Sequence, residues 1–191
     1  MMSWLRNPFK SDKRRQRTPE DVAQFYKGLG FFAGAGAADV IRRYTEESGK
    51  PPNPAKPFDD AELLSLSEND VWADDQEADV CSENKVYEEV LAQWAAISRG
   101  AFAPSAITEK WDSEKGPVTV SFQLNGQLVS VLPRYNDDWI DMEILLQINR
   151  LIGTSGYQFE CTDLGNRALV LCLTPAEKET MKKERDFPFF W

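Results

Sequence analysis

Pro117-Val-Thr-Val-Ser-Phe-Gln-Leu-Asn-Gly-Gln-Leu-Val-Ser-Val-Leu132 alternates apolar and polar side chains on either side of Asn125-Gly126. Alternation at period two predicts strands. Asn-Gly favours a two-residue type I′ turn, whose twist suits an antiparallel pair. That turn sets the register: Leu124 opposite Gln127, Phe122 opposite Val129, Val120 opposite Val131. Val118, Val120, Phe122, Val129 and Val131 then share a buried face. The other face carries Thr119, Ser121, Gln123 and Ser130, but also Leu128 and Leu132.

Downstream, Pro133-Arg-Tyr-Asn-Asp-Asp138 reads as an acidic turn. Asp138 is expected to cap a helix from Trp139 to Ile152, with Asp141 at the capping-box position. Ile140, Ile144, Ile148, Leu151 and Ile152 lie on one face of that helix. A second hairpin is expected from Tyr157–Thr162 and Arg167–Leu173 around a four-residue loop, Asp163-Leu-Gly-Asn166. Tyr157, Phe159, Cys161, Ala168, Val170 and Cys172 would share one face. Leu169, Leu171 and Leu173 would lie on the other, with Gln158 and Glu160. Cys161 and Cys172 are then on one face without being opposite, so no bridge is expected. Thr174-Pro-Ala-Glu177 is a capping box that opens a short polar helix to about Lys183. Residues 116–183 thus read as a β-β-α-β-β-α unit with its hairpins in one mixed or antiparallel sheet. The fold class is α+β, with N-terminal helices covering the unit.

Upstream, Thr18-Pro19-Glu20-Asp21 is a helix start: threonine caps, proline suits the first position, and acids face the positive end. Val22, Phe25, Tyr26 and Leu29 follow at helical spacing. Gly28-Leu-Gly-Phe-Phe-Ala-Gly-Ala-Gly36 reads as a hinge or close helix contact. A phosphate loop would follow a strand, and here a helical pattern precedes. A second helix is expected from Ala37 to about Ser48, with Val40, Ile41 and Tyr44 inward. Residues 49–58 contain four prolines and read as an extended linker. The expected division is therefore a basic tail (1–17), a helical arm (18–48), a linker (49–58) and an acidic main domain (59–191).

Within that domain, residues 59–89 hold twelve acids against one base, Lys85. Asp60-Ala-Glu-Leu-Leu-Ser-Leu66 reads as a short helix, and residues 70–79 as a loop around Trp72. Ser82 is expected to cap a helix over residues 83–99, whose Val86, Val90, Trp94 and Ile97 form a core-facing stripe. Residues 101–115 read as a connection, with Phe102, Ile107 and Trp111 as anchors.

Charge separates the function classes. The net charge is −9, yet residues 1–18 carry six bases and one acid, which leaves −14 for the rest. Such a body repels nucleic-acid phosphates and attracts basic partners. The basic run Lys13-Arg14-Arg15-Gln16-Arg17 reads either as a surface anchor or as a solvated terminus. Histidine is absent, which removes the commonest general base and a leading metal ligand. Asp137, Asp138 and Asp141 are conceivable carboxylate catalysts or magnesium ligands, but two of them are wanted for capping. An enzyme is the least favoured class, and no metal or cofactor is expected. No apolar run spans a membrane, and three separated cysteines suit reduced thiols in a cytoplasm.

The favoured reading is an acidic protein-binding module. It would be an inhibitor of the immunity type, occluding a basic toxin or nuclease domain with carboxylates in place of phosphates. Its candidate contacts are Trp72, Asp74, Asp75, Glu77 and Asp79, with Tyr135, Asp137 and Asp138. The other reading is an adaptor that docks through its basic arm or its aromatic tail, Phe187, Phe189, Phe190 and Trp191. Self-docking of that tail would make a homo-oligomer.

Overall fold

The computed structural model describes residues 17–191, so the basic residues before Arg17 lie outside the described part. Among these residues, six helices and two three-stranded antiparallel sheets make an α+β fold. The helices are α1 (Pro19–Gly28), α2 (Ala37–Ser48), α3 (Pro57–Leu64), α4 (Val86–Ile97), α5 (Ile144–Leu151) and α6 (Pro175–Arg185). The strands are β1 (Val71–Asp75), β2 (Ser105–Trp111), β3 (Val118–Leu124), β4 (Gln127–Val131), β5 (Gln158–Leu164) and β6 (Arg167–Leu173).

The first hairpin has the register its turn demands. Leu124 faces Gln127, Phe122 faces Val129 and Val120 faces Val131. Asn125 and Gly126 both have positive φ, 52° and 77°, as a type I′ turn requires. The second hairpin differs by two residues. Strand pairing runs to Leu164–Arg167, so the loop is Gly165-Asn166 and Cys161 faces Val170. A two-residue slip preserves every face. Tyr157, Phe159, Cys161, Ala168, Val170 and Cys172 therefore still share one core, as their alternation predicts.

The hairpins do not join one sheet. The first pairs with β2 in the order β2-β3-β4, and the second with β1 in the order β1-β6-β5. Both added strands come from stretches that read as a connection and a loop. β2 is polar, half exposed and interrupted by a bulge between Ser105 and Thr108, so it lacks the apolar alternation that signals a strand. β1 contains Trp72, and the expected loop is instead a ladder against β6.

β6 becomes a central strand, which explains why both of its faces are apolar. Ala168, Val170 and Cys172 pack into a core with α4, α5, β3 and the first hairpin. Leu169, Leu171 and Leu173 pack into a second core with Val22, Tyr26, Val40 and Tyr44 of α1 and α2, and Met181 of α6. The helical arm and the sheet thus share apolar burial across the proline-rich segment. The Thr18 cap and the Thr174–Glu177 capping box form as expected, and Asp21 completes a box at Thr18 as well.

Two expected caps do not form. Ser82 does not cap α4, which starts after Lys85 in a left-handed conformation. The Glu109 carboxylate of β2 accepts the Tyr87 N–H at 3.0 Å in its place. Nor does Asp138 cap a helix at Trp139, because α5 begins only at Ile144. Residues 138–140 are drawn into a short bridge with residues 76–78, Ile140 N–H donating to Gln76 O at 2.9 Å. Backbone groups used in a ladder are not available to start a helix.

α5 links the two sheets with amide side chains that act as surrogate peptides. Gln147 accepts the Leu132 N–H at 2.9 Å and donates to the Leu132 carbonyl at 3.1 Å, at the end of β4. Asn149 does the same for Phe159 of β5, at 2.7 and 2.8 Å. Asn149→Ala is expected to destabilise the fold by about 1–3 kcal/mol, because it orphans two buried backbone groups. Equilibrium unfolding in urea measures this, and a loss within error would show that water replaces the amide without cost.

The three cysteines are free. Burial first, then neighbouring acids, push the Cys161 thiol up to about 12. Burial pushes Cys172 to about 12 as well. A raised thiol pKa suppresses the nucleophilic thiolate at every pH below it. At pH 8 a thiol-alkylating reagent is expected to label only half-exposed Cys81 in the native protein, and all three cysteines in denaturant. Rapid native labelling of Cys161 would overturn its placement. Among the described residues no helix is long and apolar enough to cross a membrane.

Candidate functional site: an acidic edge beside an aromatic cleft

The β1 strand exits the sheet at Asp74-Asp75, and the chain continues through Gln76-Glu77-Ala78 alongside residues 138–140. Glu77 lies opposite Trp139 in this antiparallel bridge, and Ala78 N–H donates to Asp138 O at 2.8 Å. The bridge brings together two acidic segments that are distant in sequence. Asp74, Asp75, Glu77, Asp79, Asp137 and Asp138 are all exposed. None of these six carboxylates forms a salt bridge to another described residue.

Some of the carboxylates instead order their own loops. Asp75 accepts the Glu77 N–H at 3.0 Å, and Asp79 accepts from the Asn84 side chain at 2.8 Å. Asp141 does not point at solvent chemistry either. Its two oxygens accept the Arg134 and Glu143 N–H groups at 2.7 and 3.0 Å. Among the described residues no group of three or more histidine, cysteine, aspartate or glutamate side chains is arranged to hold a metal ion.

Beside the bridge lies a cleft of about 390 Å³, whose walls include Gln76, Tyr135, Ile140, Met142, Phe190 and Trp191. Tyr135 is steadied by an edge-to-face contact with Trp111, centroids 5.9 Å apart. Desolvation, followed by the Asp137 and Asp138 charges, pushes its phenol above the ordinary tyrosine value. The hydroxyl therefore stays protonated and remains a donor at neutral pH.

The aromatic tail reaches this cleft because the body holds it. Phe187 is buried in the second core, with Phe189 against it. Phe190 N–H donates to Cys161 O on the edge of β5 at 2.8 Å. Lys178 ion-pairs with buried Glu160 at 2.7 Å and donates to the Trp191 carbonyl at 3.3 Å. Burial pushes the Glu160 carboxyl above its usual range, and Lys178 opposes that shift. Phe190 alone among the four tail aromatics is largely exposed, at 65%.

Seven of the eight contacts expected from sequence therefore lie on or beside one acidic edge. The eighth, Trp72, does not. It is only 6% exposed, its Nε1 donates to Gln93 Oε1 at 2.7 Å, and its ring packs edge-to-face on Trp94. A residue on the inner face of β1 is a core residue, so Trp72 is removed from the contact set. Phe187 is removed from the docking tail for the same reason. Trp139, Met142 and Gln76 are site residues that the sequence reading missed. Trp139 reads as the first residue of a helix, and only the bridge to Glu77 places it on the acidic edge.

No family model, no curated protein and no solved structure matches this chain.

Proposed function

We propose that the chain is an acidic protein-binding module of the inhibitor or immunity type, which occludes the cationic cleft of a basic partner such as a toxin nuclease domain. The observation that carries this reading is the Glu77–Trp139 bridge, which gathers six exposed carboxylates, none of them salt-bridged to a described residue, beside an aromatic cleft. Unneutralised carboxylates present the charge pattern of a phosphate backbone to a lysine- and arginine-lined site. Long-range attraction of this kind speeds encounter, and aromatic anchors slow dissociation. Tyr135, Trp139 and Phe190 are the anchors, in place of Trp72. The reduced thiols and acidic body fit a partner met in the cytoplasm.

The test begins with capture of the partner from the source cell and its identification by mass spectrometry. Binding of the purified basic domain is then measured over a range of salt. The wild type is expected to weaken steeply with ionic strength, because exposed charges are screened within about 8 Å at physiological salt. Changing Asp74, Asp75, Asp137 and Asp138 to lysine is expected to weaken binding about 100-fold or more, with most of the loss in the association rate. Intact inhibition by that variant would sink the proposal.

An adaptor role for the tail is supported by one observation only, the exposure of Phe190 at the rim of the same cleft. Phe190→Ala with unchanged carboxylates separates the two: loss of a salt-insensitive interaction would favour the adaptor.

A further inference from the structure

Two three-stranded sheets have four outer edges, and an uncovered edge is a template for another strand. Three of these edges are guarded. The β5 edge is bonded by Asn149 at Phe159 and by Phe190 N–H at Cys161. The β2 edge is bulged and carries Glu109 and Lys110, and the Glu109 N–H donates to Glu88 of α4 at 3.1 Å. β1 ends in the charged pair Asp74-Asp75.

Among the described residues the fourth edge, β4, is open. With Leu124 and Gln127 flanking a two-residue turn, Gln127, Val129 and Val131 bond inward to β3. Leu128 and Ser130 then direct their N–H and C=O groups away from the sheet, as Leu132 does toward Gln147. No backbone hydrogen bond from a described residue outside the ladder reaches Leu128 or Ser130. The flanking side chains are apolar and uncovered, Leu128 being 70% and Leu132 60% exposed.

We infer that β4 is a self-association edge, on which a second copy of the chain adds its own β4 antiparallel about Val129. Leu128 would pair with Ser130 of the second copy and Ser130 with its Leu128, which uses the four open backbone groups on each side. Leu132, whose groups Gln147 already occupies, would then face the turn glycine Gly126, which has no side chain to clash. The two sheets would join as one sheet of six strands.

Charge selects the occupant. Residues 117–133 carry no charged side chain, in a protein with 22 bases and 31 acids. A basic partner has nothing to read there, whereas two strongly acidic copies can approach at that place with the least repulsion. The edge is independent of the acidic cleft, so either reading can fail alone. Pairing of one short strand buries less than the ~1,200 Å² of a standard interface, so the dimer is weak and concentration-dependent.

Sedimentation equilibrium of the full chain from about 1 μM to about 1 mM, a range that covers weak dimers, is expected to show a monomer–dimer transition. Leu128→Lys places a charge on the edge, and Ser130→Pro removes an outward N–H that the hairpin does not use. Each is expected to weaken dimerisation about tenfold or more, with unchanged far-UV circular dichroism. Hydrogen exchange at the Leu128 and Ser130 amides is expected to slow as the wild type dimerises. Where Ser130→Pro perturbs folding, Leu128→Lys and the exchange data decide alone. A wild type that stays monomeric leaves this edge to some other extended segment and overturns the inference. A dimer that persists in Leu128→Lys with both amides unprotected overturns it equally.

Discussion

Replacing Arg185 with methionine is expected to lower the unfolding free energy by about 3–5 kcal/mol, the range for breaking a buried ion pair from one side. Arg185 and Asp60 are 2% and 1% exposed, and the guanidinium is bidentate, with Nε and Nη2 at 2.7 and 2.8 Å from the two carboxylate oxygens. The Tyr26 hydroxyl donates to the same carboxylate at 2.7 Å, and Nη2 also donates to the Pro54 carbonyl at 2.8 Å. One network therefore ties α1, the proline-rich segment, α3 and α6 together. Removing the cation leaves a carboxylate buried beside apolar residues, with only a phenol to satisfy it. Desolvated charge without a counter-charge costs far more than the pair contributes. The companion variant, Asp60→Leu with Arg185→Met, is expected to recover most of the loss, because neither charge is then stranded. Urea unfolding followed by circular dichroism gives both numbers and their coupling. A single-variant loss below about 1 kcal/mol is the behaviour of an exposed pair and would contradict the burial described above.

The second large effect is expected at Trp94. Trp94→Ala should cost about 3–5 kcal/mol, the usual range for deleting a buried large aromatic. Trp94 is fully buried on α4, with Trp72 and Phe159 rings 5.9 and 6.4 Å from its own. It thus sits where α4 meets β1 and β5. A domain of this size has a total stability of about 5–15 kcal/mol, so this variant is expected to unfold well before the wild type in a urea titration. The indole Nε1 is buried and has no hydrogen-bond partner among the described residues. Phenylalanine would keep the ring contact and remove an unsatisfied donor. Trp94→Phe is therefore expected to cost at least about 1 kcal/mol less than alanine. Equal costs for the two variants would mean that the ring contacts contribute little.

These two expectations stand differently with respect to sequence. Trp94 could be placed in the core from its spacing with Val86, Val90 and Ile97, since a helix converts sequence spacing directly into a face. The Asp60–Arg185 pair could not be foreseen. Asp60 sits in a run of acids that reads as a solvated surface, and Arg185 ends a polar helix. Only the docking of α3 against α6 makes either one buried. The candidate site shows the same split. The acids at 74–79 and 137–138 were recognisable as candidates by charge. Their juxtaposition depends on a three-residue bridge without apolar alternation. Trp72 looked like a surface anchor because its acidic neighbours hid a five-residue strand.

Features set by short-range chemistry are legible in the chain alone. The Asn125-Gly126 turn and its register, the helix caps at Thr18 and Thr174, and the faces of both hairpins all follow from contacts within a few residues. How these units share partners depends on long-range packing. β1 and β2 become strands because β6 and β3 offer them backbone groups. Asn149 closes the β5 edge, and Gln147 binds Leu132 just past the end of β4, because α5 packs against both sheets. The helix at Trp139 starts late because its backbone is already paired with residues 76–78. Each of these outcomes is a competition for hydrogen-bond partners between segments far apart in the chain, and local sequence does not encode the winner.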